Sequence, residues 1–221
     1  DDELQKVGIT TSRHCLKEIA ADNFATVAHA CRFEGRPGVV HRLDLDTSGL
    51  LIFAKTQQTY ENLVRMIKSR EVKRSYVALV SGRMDTPEGV IDGPVGRDPA
   101  QRTRQAVVTS GKPARTRYKV IRTITPVPGS SRHLVSLLEI TLETGRMHQI
   151  RVHLAAIGHP VIGDPVYGKR AALISGLTRQ FLHAAGLEFP HPVTGAGLNL
   201  VSGLPHDLDR ALQEIARAAG G

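Results

Sequence analysis

Val39-Val40-His41-Arg42-Leu43-Asp44-Leu45-Asp46-Thr47-Ser48-Gly49-Leu50 is the stretch on which the fold of this chain turns. Two β-branched residues lead into it and an apolar run from Leu50 to Lys55 leads out, so a short strand, a polar loop and a second strand are expected. Asp46, Thr47 and Ser48 suit a turn in which side chains bond nearby backbone, with Gly49 supplying a positive φ. A turn does not account for His41-Arg42-Leu43-Asp44. An Asp after a strand with Leu on both sides is expected to be partly buried, and a buried carboxylate needs a positive partner.

Outward from this stretch, Thr56 is placed to cap a helix whose apolar positions Tyr60, Leu63, Val64 and Ile67 fall at i, i+3, i+4 and i+7. Ser75 to Val80 reads as a strand stopped by Ser81-Gly82, and Arg83 to Arg104 as a loop or hairpin region. His133 to Glu143 is a β-type run with Val135, Leu137, Glu139 and Thr141 on one face. Residues 146–157 switch to a helical period, with Met147, Ile150, Leu154 and Ile157 on an apolar face, His148, Arg151 and Ala155 on another, and Gly158 as the stop. Leu208, Leu212 and Ile215 mark a last helix, closed by Gly220-Gly221. Strands and helices mix without regular βαβ alternation, so the class is α+β. No linker composition divides the chain, and one domain of catalytic size is expected.

The 221 residues carry 29 Lys+Arg against 21 Asp+Glu, a net charge of 29 − 21 = +8, with 41% hydrophobic residues. That composition excludes a disordered tail, and no window holds the roughly 20 apolar residues of a membrane span. No secretory signal opens the chain, and Cys15 and Cys31 lack metal or redox spacing, so a reducing, cytoplasmic setting is expected. Residues 97–122 hold Arg97, Arg102, Arg104, Lys112, Arg115, Arg117, Lys119 and Arg122 against Asp98, a local charge of 8 − 1 = +7. Arg65, Lys68, Arg70, Lys73 and Arg74 form a second run offset by Glu71. Two such runs point to a nucleic-acid footprint. Without Trp, and with 5 Phe and 4 Tyr, a binder built on many stacked aromatics is disfavoured.

Other chemistries fail on their residues. Gly163 to Arg170 nearly spells a phosphate loop, but Arg170 replaces the hydroxyl residue and Pro165 removes a backbone donor, so a turn with a basic tip is expected. His148 and His153 would point about 140° apart on a helix, and no metal-ligand cluster occurs. No serine- or cysteine-nucleophile context appears.

His41-Arg42-Leu43-Asp44-x-x-Thr47-Ser48-Gly49-Leu50 resembles the catalytic motif of the RluA-type (RluC/RluD-like) pseudouridine synthases, which isomerise uridine in structured RNA. Three further blocks resemble the same family in order: Lys73 to Gly82, Thr144 to Leu154 running on to Gly163-Asp164, and Leu182-His183-Ala184 with His191 to Gly195. The resemblance implies a pseudouridine synthase fold, a mixed, mainly antiparallel sheet flanked by helices and loops with a central basic cleft. It implies Asp44 as nucleophile or charge stabiliser, Arg151 as its ionic partner, and Tyr76 against the uracil ring as a possible base. Arg42 would enter the space left by the flipped nucleotide, with His41, Arg102, Arg104, Arg115 and Arg146 as further RNA contacts. His148, His183 and His191 are expected to be structural. No metal or organic cofactor is implied, the partner is RNA (ribosomal RNA ahead of transfer RNA), and a monomer is the expectation. Residues 1–36 lack the family's opening Lys-Pro-x-Gly turn, and only Asp22 to Ala30 faintly resembles the helix expected there. They are read as a divergent or shortened segment before a catalytic domain at 37–221, without an S4 domain. Met147 stands where the family more usually has Thr, a change the helix's apolar face should tolerate. The competing functions are a non-catalytic RNA-binding or ribosome-assembly paralogue and an N-glycosidase that would release free uracil.

Overall fold

The run Ser48-Gly49-Leu50-Leu51-Ile52-Phe53-Ala54 is buried along its whole length and forms strand β2 (Ser48–Ala54). In this computed structural model the described residues are 4–9 (backbone), 38–125, 134–168 and 177–217. They fall into two compact units, residues 1–74 with 184–202 and residues 75–183 with 203–221.

In the first unit, β1 (Leu4–Ile9) pairs antiparallel with β2, from Leu4 opposite Ala54 to Ile9 opposite Gly49. The segment read as divergent thus supplies a strand, which its sequence did not announce; Asp22 to Ala30 lies outside the described residues. Where a short strand is expected before the loop, Val39 makes a single antiparallel bridge to Phe53. Helix α1 (Gln57–Lys68) starts where Thr56 Oγ1 accepts from the Thr59 N–H at 3.2 Å, as the cap reading requires. It buries Thr59, Leu63 and Met66. At its end Arg70 takes φ +65, Glu71 N–H reaches Met66 O at 2.9 Å and Arg70 N–H reaches Ile67 O at 3.3 Å, a Schellman turn with Arg in the usual Gly position. Strand β9 (Leu182–Pro190) pairs antiparallel with β10 (Gly197–Val201), from Gly186 opposite Val201 to Pro190 opposite Gly197. The core joins Leu50, Ile52, Ala54, Leu63, Met66, Val72, Leu187 and Phe189.

The second unit is built on the strand order β3 (Lys73–Ser81), β8 (Val135–Leu142), β7 (Arg115–Ile124), β4 (Glu88–Asp92), all antiparallel from Ser75 on. A small hairpin pairs β5 (Val95–Arg97) with β6 (Gln105–Val107). On β8 the face opposite the one singled out from sequence is the deeper: Ser136, Leu138 and Ile140 are each 0% exposed, while Glu139 is in solvent. Helix α2 is Gln149–Ala156, shorter than its periodicity suggested. Gly158 ends it at φ +86, with His159 N–H on Leu154 O (2.9 Å) and Gly158 N–H on Ala155 O (3.1 Å). Helix α3 (His206–Arg217) buries Leu208 and Ala211 in a core with Leu79, Ile124, Leu137, Ile162 and Phe181. Gly220-Gly221 lies outside the described residues.

The periodicity of 146–157 misleads for a physical reason. Gln149 to Leu154 are all buried, so α2 has no solvent face to set a polar stripe. Met147, expected on the apolar face, precedes the helix and is 44% exposed; Ile157 follows it and is exposed too. Arg151 is therefore no surface cation but a buried one.

Candidate active site

Asp44, His41 and Arg42 belong to the first unit; Tyr76, Arg151, Arg102, Arg104, Arg115 and Arg146 belong to the second. In the first, the Asp44 carbonyl accepts from the Thr47 N–H at 3.0 Å, closing a turn with Asp46 at φ +64. Asp44 is half-buried and Arg42 exposed. Leu43 is buried but Leu45 is 77% exposed, so the flanking-leucine argument holds on one side only. Gly49 follows at φ +116, where a Cβ would lie 2.2 Å from the Ala184 carbonyl oxygen. The turn and the strand register hold Asp44 in one backbone geometry.

His41 ties this segment to β2. Its Nε2 accepts from the Ile52 N–H at 3.1 Å, which makes the ring neutral and leaves the proton on Nδ1. Burial, and secondarily the Arg74 charge, push its pKa down to about 3. The ring is therefore not a cation for phosphate at neutral pH.

In the second unit Tyr76 is buried in β3, opposite Ile140. Arg151 on α2 donates from Nε to Asp164 Oδ2 (2.7 Å) and from Nη2 to Asp164 Oδ1 (2.8 Å), with side chains 4% and 0% exposed. Asp164 Oδ1 also accepts from the Val166 N–H (2.8 Å) and the Tyr167 N–H (3.0 Å). Burial alone would raise the Asp164 pKa; the Arg151 and backbone donors outweigh it and hold the carboxyl below its ordinary value. The Arg151 and Arg104 guanidinium carbons lie 5.1 and 5.2 Å from the Tyr167 ring centroid. Tyr167 Oη accepts from the Gln105 N–H at 2.9 Å and bonds His148 Nδ1 at 2.9 Å. Burial pushes the Tyr167 hydroxyl pKa up.

Asp164 and Tyr167 were given no role from the sequence. They sit in the stretch that almost spells a phosphate loop, and a buried Asp that needs a cation was the available signal. Gln149 and His153 are also structural keystones. Gln149 Oε1 accepts from Thr144 Oγ1 (2.8 Å) and the Arg146 N–H (3.0 Å), and its Nε2 donates to Arg115 O (3.0 Å) and Thr116 Oγ1 (2.9 Å). His153 donates from Nε2 to Gly93 O (2.8 Å), so its Nδ1 receives the Thr116 hydroxyl at 2.9 Å. His191 closes the β9–β10 hairpin, its Nδ1 accepting from the Val193 and Thr194 N–H groups at 3.3 and 3.2 Å.

The basic run 97–122 is less charged in space than in sequence. Arg115 meets Asp92 (3.0 Å) and Glu143 (3.1 Å), Arg117 meets Glu143, and Lys119 lies opposite Glu88 and Glu139 in the ladder. Arg102 is exposed, Arg104 is half-buried on Tyr167, and exposed Arg146 donates to Pro113 O at 3.1 Å. Among the described residues no group of three His, Cys, Asp or Glu side chains could hold a metal, and no helix is long and apolar enough to cross a membrane.

The antiparallel sheets with helices packed on them, and a polar turn presenting a carboxylate ahead of β2, define an α+β class whose relatives are identifiable. Residues 6–156 match the family model described as RNA pseudouridylate synthase, and the chain belongs to that family. It is 50% identical over 186 residues to ribosomal large subunit pseudouridine synthase D of Nitrosomonas europaea, covering 81% of this chain and 52% of that protein. Over 196 residues it is 44% identical to the protein of the same name from Vibrio cholerae, covering 82% and 58%. The chain thus spans little more than half the length of these relatives. Among solved structures, human RNA pseudouridylate synthase domain containing 1 superposes with a TM-score of 0.78 at 24% identity, over 100% of this chain and 92% of that one, a likeness of fold.

Proposed function

We propose that this chain is a cytoplasmic, monomeric RNA pseudouridine synthase that acts on ribosomal RNA with Asp44 as the catalytic carboxylate. The observation that carries the reading is the fixed turn at Asp44, a half-buried acid held between the His41 anchor and buried β2 in a chain of net charge +8. Binding a polyanion does not by itself call for a carboxylate at the contact, whereas glycosidic chemistry does. The names of the relatives, which modify the large ribosomal subunit, support the choice of RNA.

In the reaction the C1′–N1 bond breaks, the uracil turns, C1′ bonds to C5, the C5 hydrogen leaves as a proton, and N1 takes up a proton from solvent. Asp44 stabilises or attacks the sugar carbon, Arg151 serves as its cationic partner, and Tyr76 lies against the ring and assists proton transfer. The target base leaves its stack first, at a cost of a few kcal/mol, and Arg42 fills its place. His41 acts as a neutral anchor, and Arg102, Arg104, Arg115 and Arg146 serve RNA binding. Asp164 is the positioning residue for Arg151.

Tritium release from RNA labelled at uridine C5 tests the reading. Wild type should release tritium without free uracil, and Asp44→Ala should release none while its RNA affinity stays within a few-fold. Release by Asp44→Ala at the wild-type rate, or free uracil as a product, would overturn it.

A further inference from the structure

Among the described residues, two buried donors in the first unit have no acceptor. Arg74 is 9% exposed, its Nε is buried without a hydrogen-bond partner, and among the described residues no carboxylate pairs with it. A cation so buried is ordinarily matched by a carboxylate, as Arg151 and Arg179 are. His41 repeats the pattern. Its Nε2 is spent as an acceptor for the Ile52 N–H, so Nδ1 must carry the hydrogen, and Nδ1 too is buried with no partner. The Arg74 charge opposes protonation of that imidazole, which sets the two groups within electrostatic reach of one another.

Both groups therefore offer hydrogens, and one adds a positive charge that no carboxylate among the described residues cancels. A ligand that satisfies both is an oxygen acceptor, and an anionic one matches the guanidinium better than a neutral carbonyl. In the chain His41 lies three residues before Asp44, and Arg74 two before Tyr76. In a protein of net charge +8 the anion of matching chemistry is a phosphodiester.

We propose that Arg74 and His41 Nδ1–H form a buried subsite for a backbone phosphate of the RNA, gripping the strand beside the reacting nucleotide. The inference rests on the RNA reading above. The subsite positions the strand, with Arg74 as the charged contact and His41 as the neutral one. The remaining basic side chains of the second run stand differently: Arg65 and Lys68 are exposed on α1, and Lys73 is paired with Glu188 at 2.8 Å.

The test measures RNA affinity of full-length Asp44→Ala protein against salt, with and without Arg74→Met. Losing one phosphate contact should weaken binding about tenfold at low salt and shrink the slope of log affinity against log salt by roughly 0.7 to 0.9. Arg74→Met should also melt no lower than its parent, because it removes an uncompensated buried charge and keeps the apolar stem. A purely structural arginine would show the reverse, a lower melting point with an unchanged slope. Arg74→Lys, which keeps the charge but lacks the Nε–H, carries the test if Arg74→Met does not fold; it should keep the slope and lose affinity several-fold. RNA bearing single methylphosphonate linkages locates the contact: one linkage should weaken binding to parent protein and leave binding to the Arg74 variant unchanged. An unchanged slope in Arg74→Met and no such linkage would overturn the subsite while tritium release by wild type still stood. A lost contact without any tritium release would keep the subsite and sink the synthase reading, and no RNA binding at all would sink both.

Discussion

Replacing Asp164 by Asn probes the ion pair that holds Arg151. The carboxylate is 0% exposed and takes four donors, Arg151 Nε at 2.7 Å, Arg151 Nη2 at 2.8 Å, and the Val166 and Tyr167 N–H groups at 2.8 and 3.0 Å. The amide cannot accept at both positions, so one donor meets an N–H and the buried Arg151 loses the bidentate carboxylate that Asp164 supplies. Breaking such a pair from one side costs on the order of 3–5 kcal/mol. The Tyr167 ring, 5.1 Å from the Arg151 guanidinium carbon, offsets only a fraction of that. Urea denaturation of wild type and Asp164→Asn at pH 7 measures the difference directly. The pH dependence adds a sign. Because the folded Asp164 pKa is depressed below the ordinary 3.8 of an aspartate, its contribution is fully present above that value and is lost as pH falls through the folded pKa. The two proteins should therefore converge in stability on acidification below about pH 4. A loss smaller than about 1 kcal/mol at pH 7, or a gap that widens in acid, would refute the pairing energetics.

Two further outcomes follow from the first unit. Gly49→Ala should destabilise by several kcal/mol and lower soluble yield, since φ is +116 and the added Cβ would sit 2.2 Å from a backbone oxygen with no flexible side chain to yield; near-wild-type melting would contradict this. His41, with its pKa lowered to about 3, should stay neutral in a nitrogen NMR titration down to pH 4. Its depressed folded pKa makes it contribute stability above the unfolded value near 6.5, lost as pH falls toward 3, so a ring titrating near 6.5 would contradict the buried geometry.

The elements set by local chemistry were readable from the chain. Thr56 caps α1, Gly158 ends α2, Gly49 has a positive φ, and the apolar run after it is a buried strand. Each depends on neighbours within a few residues, and the four blocks that carry the family resemblance are of the same local kind. Burial on all sides was not readable. Helix α2 carries Gln149, Arg151 and His153 inward because their partners, Thr116, Asp164 and Gly93, lie 33, 13 and 60 residues away, so polar residues there did not mark a solvent face. Likewise, the charge of residues 97–122 looked uncompensated until Asp92, Glu88, Glu139 and Glu143 came into the β4–β7–β8 ladder.

By itself the sequence determined the α+β class, the caps and turns, the family, and the candidate carboxylate Asp44, because these rest on short-range spacing and residue type. Only the tertiary structure decided which charges are matched. It assigned Asp164 to Arg151 and Asp207 to Arg179, held His41 neutral against β2, and left Arg74 buried with no carboxylate among the described residues. Coulomb and hydrogen-bond energies depend on distance through space and on exclusion of water, and neither can be counted along a chain.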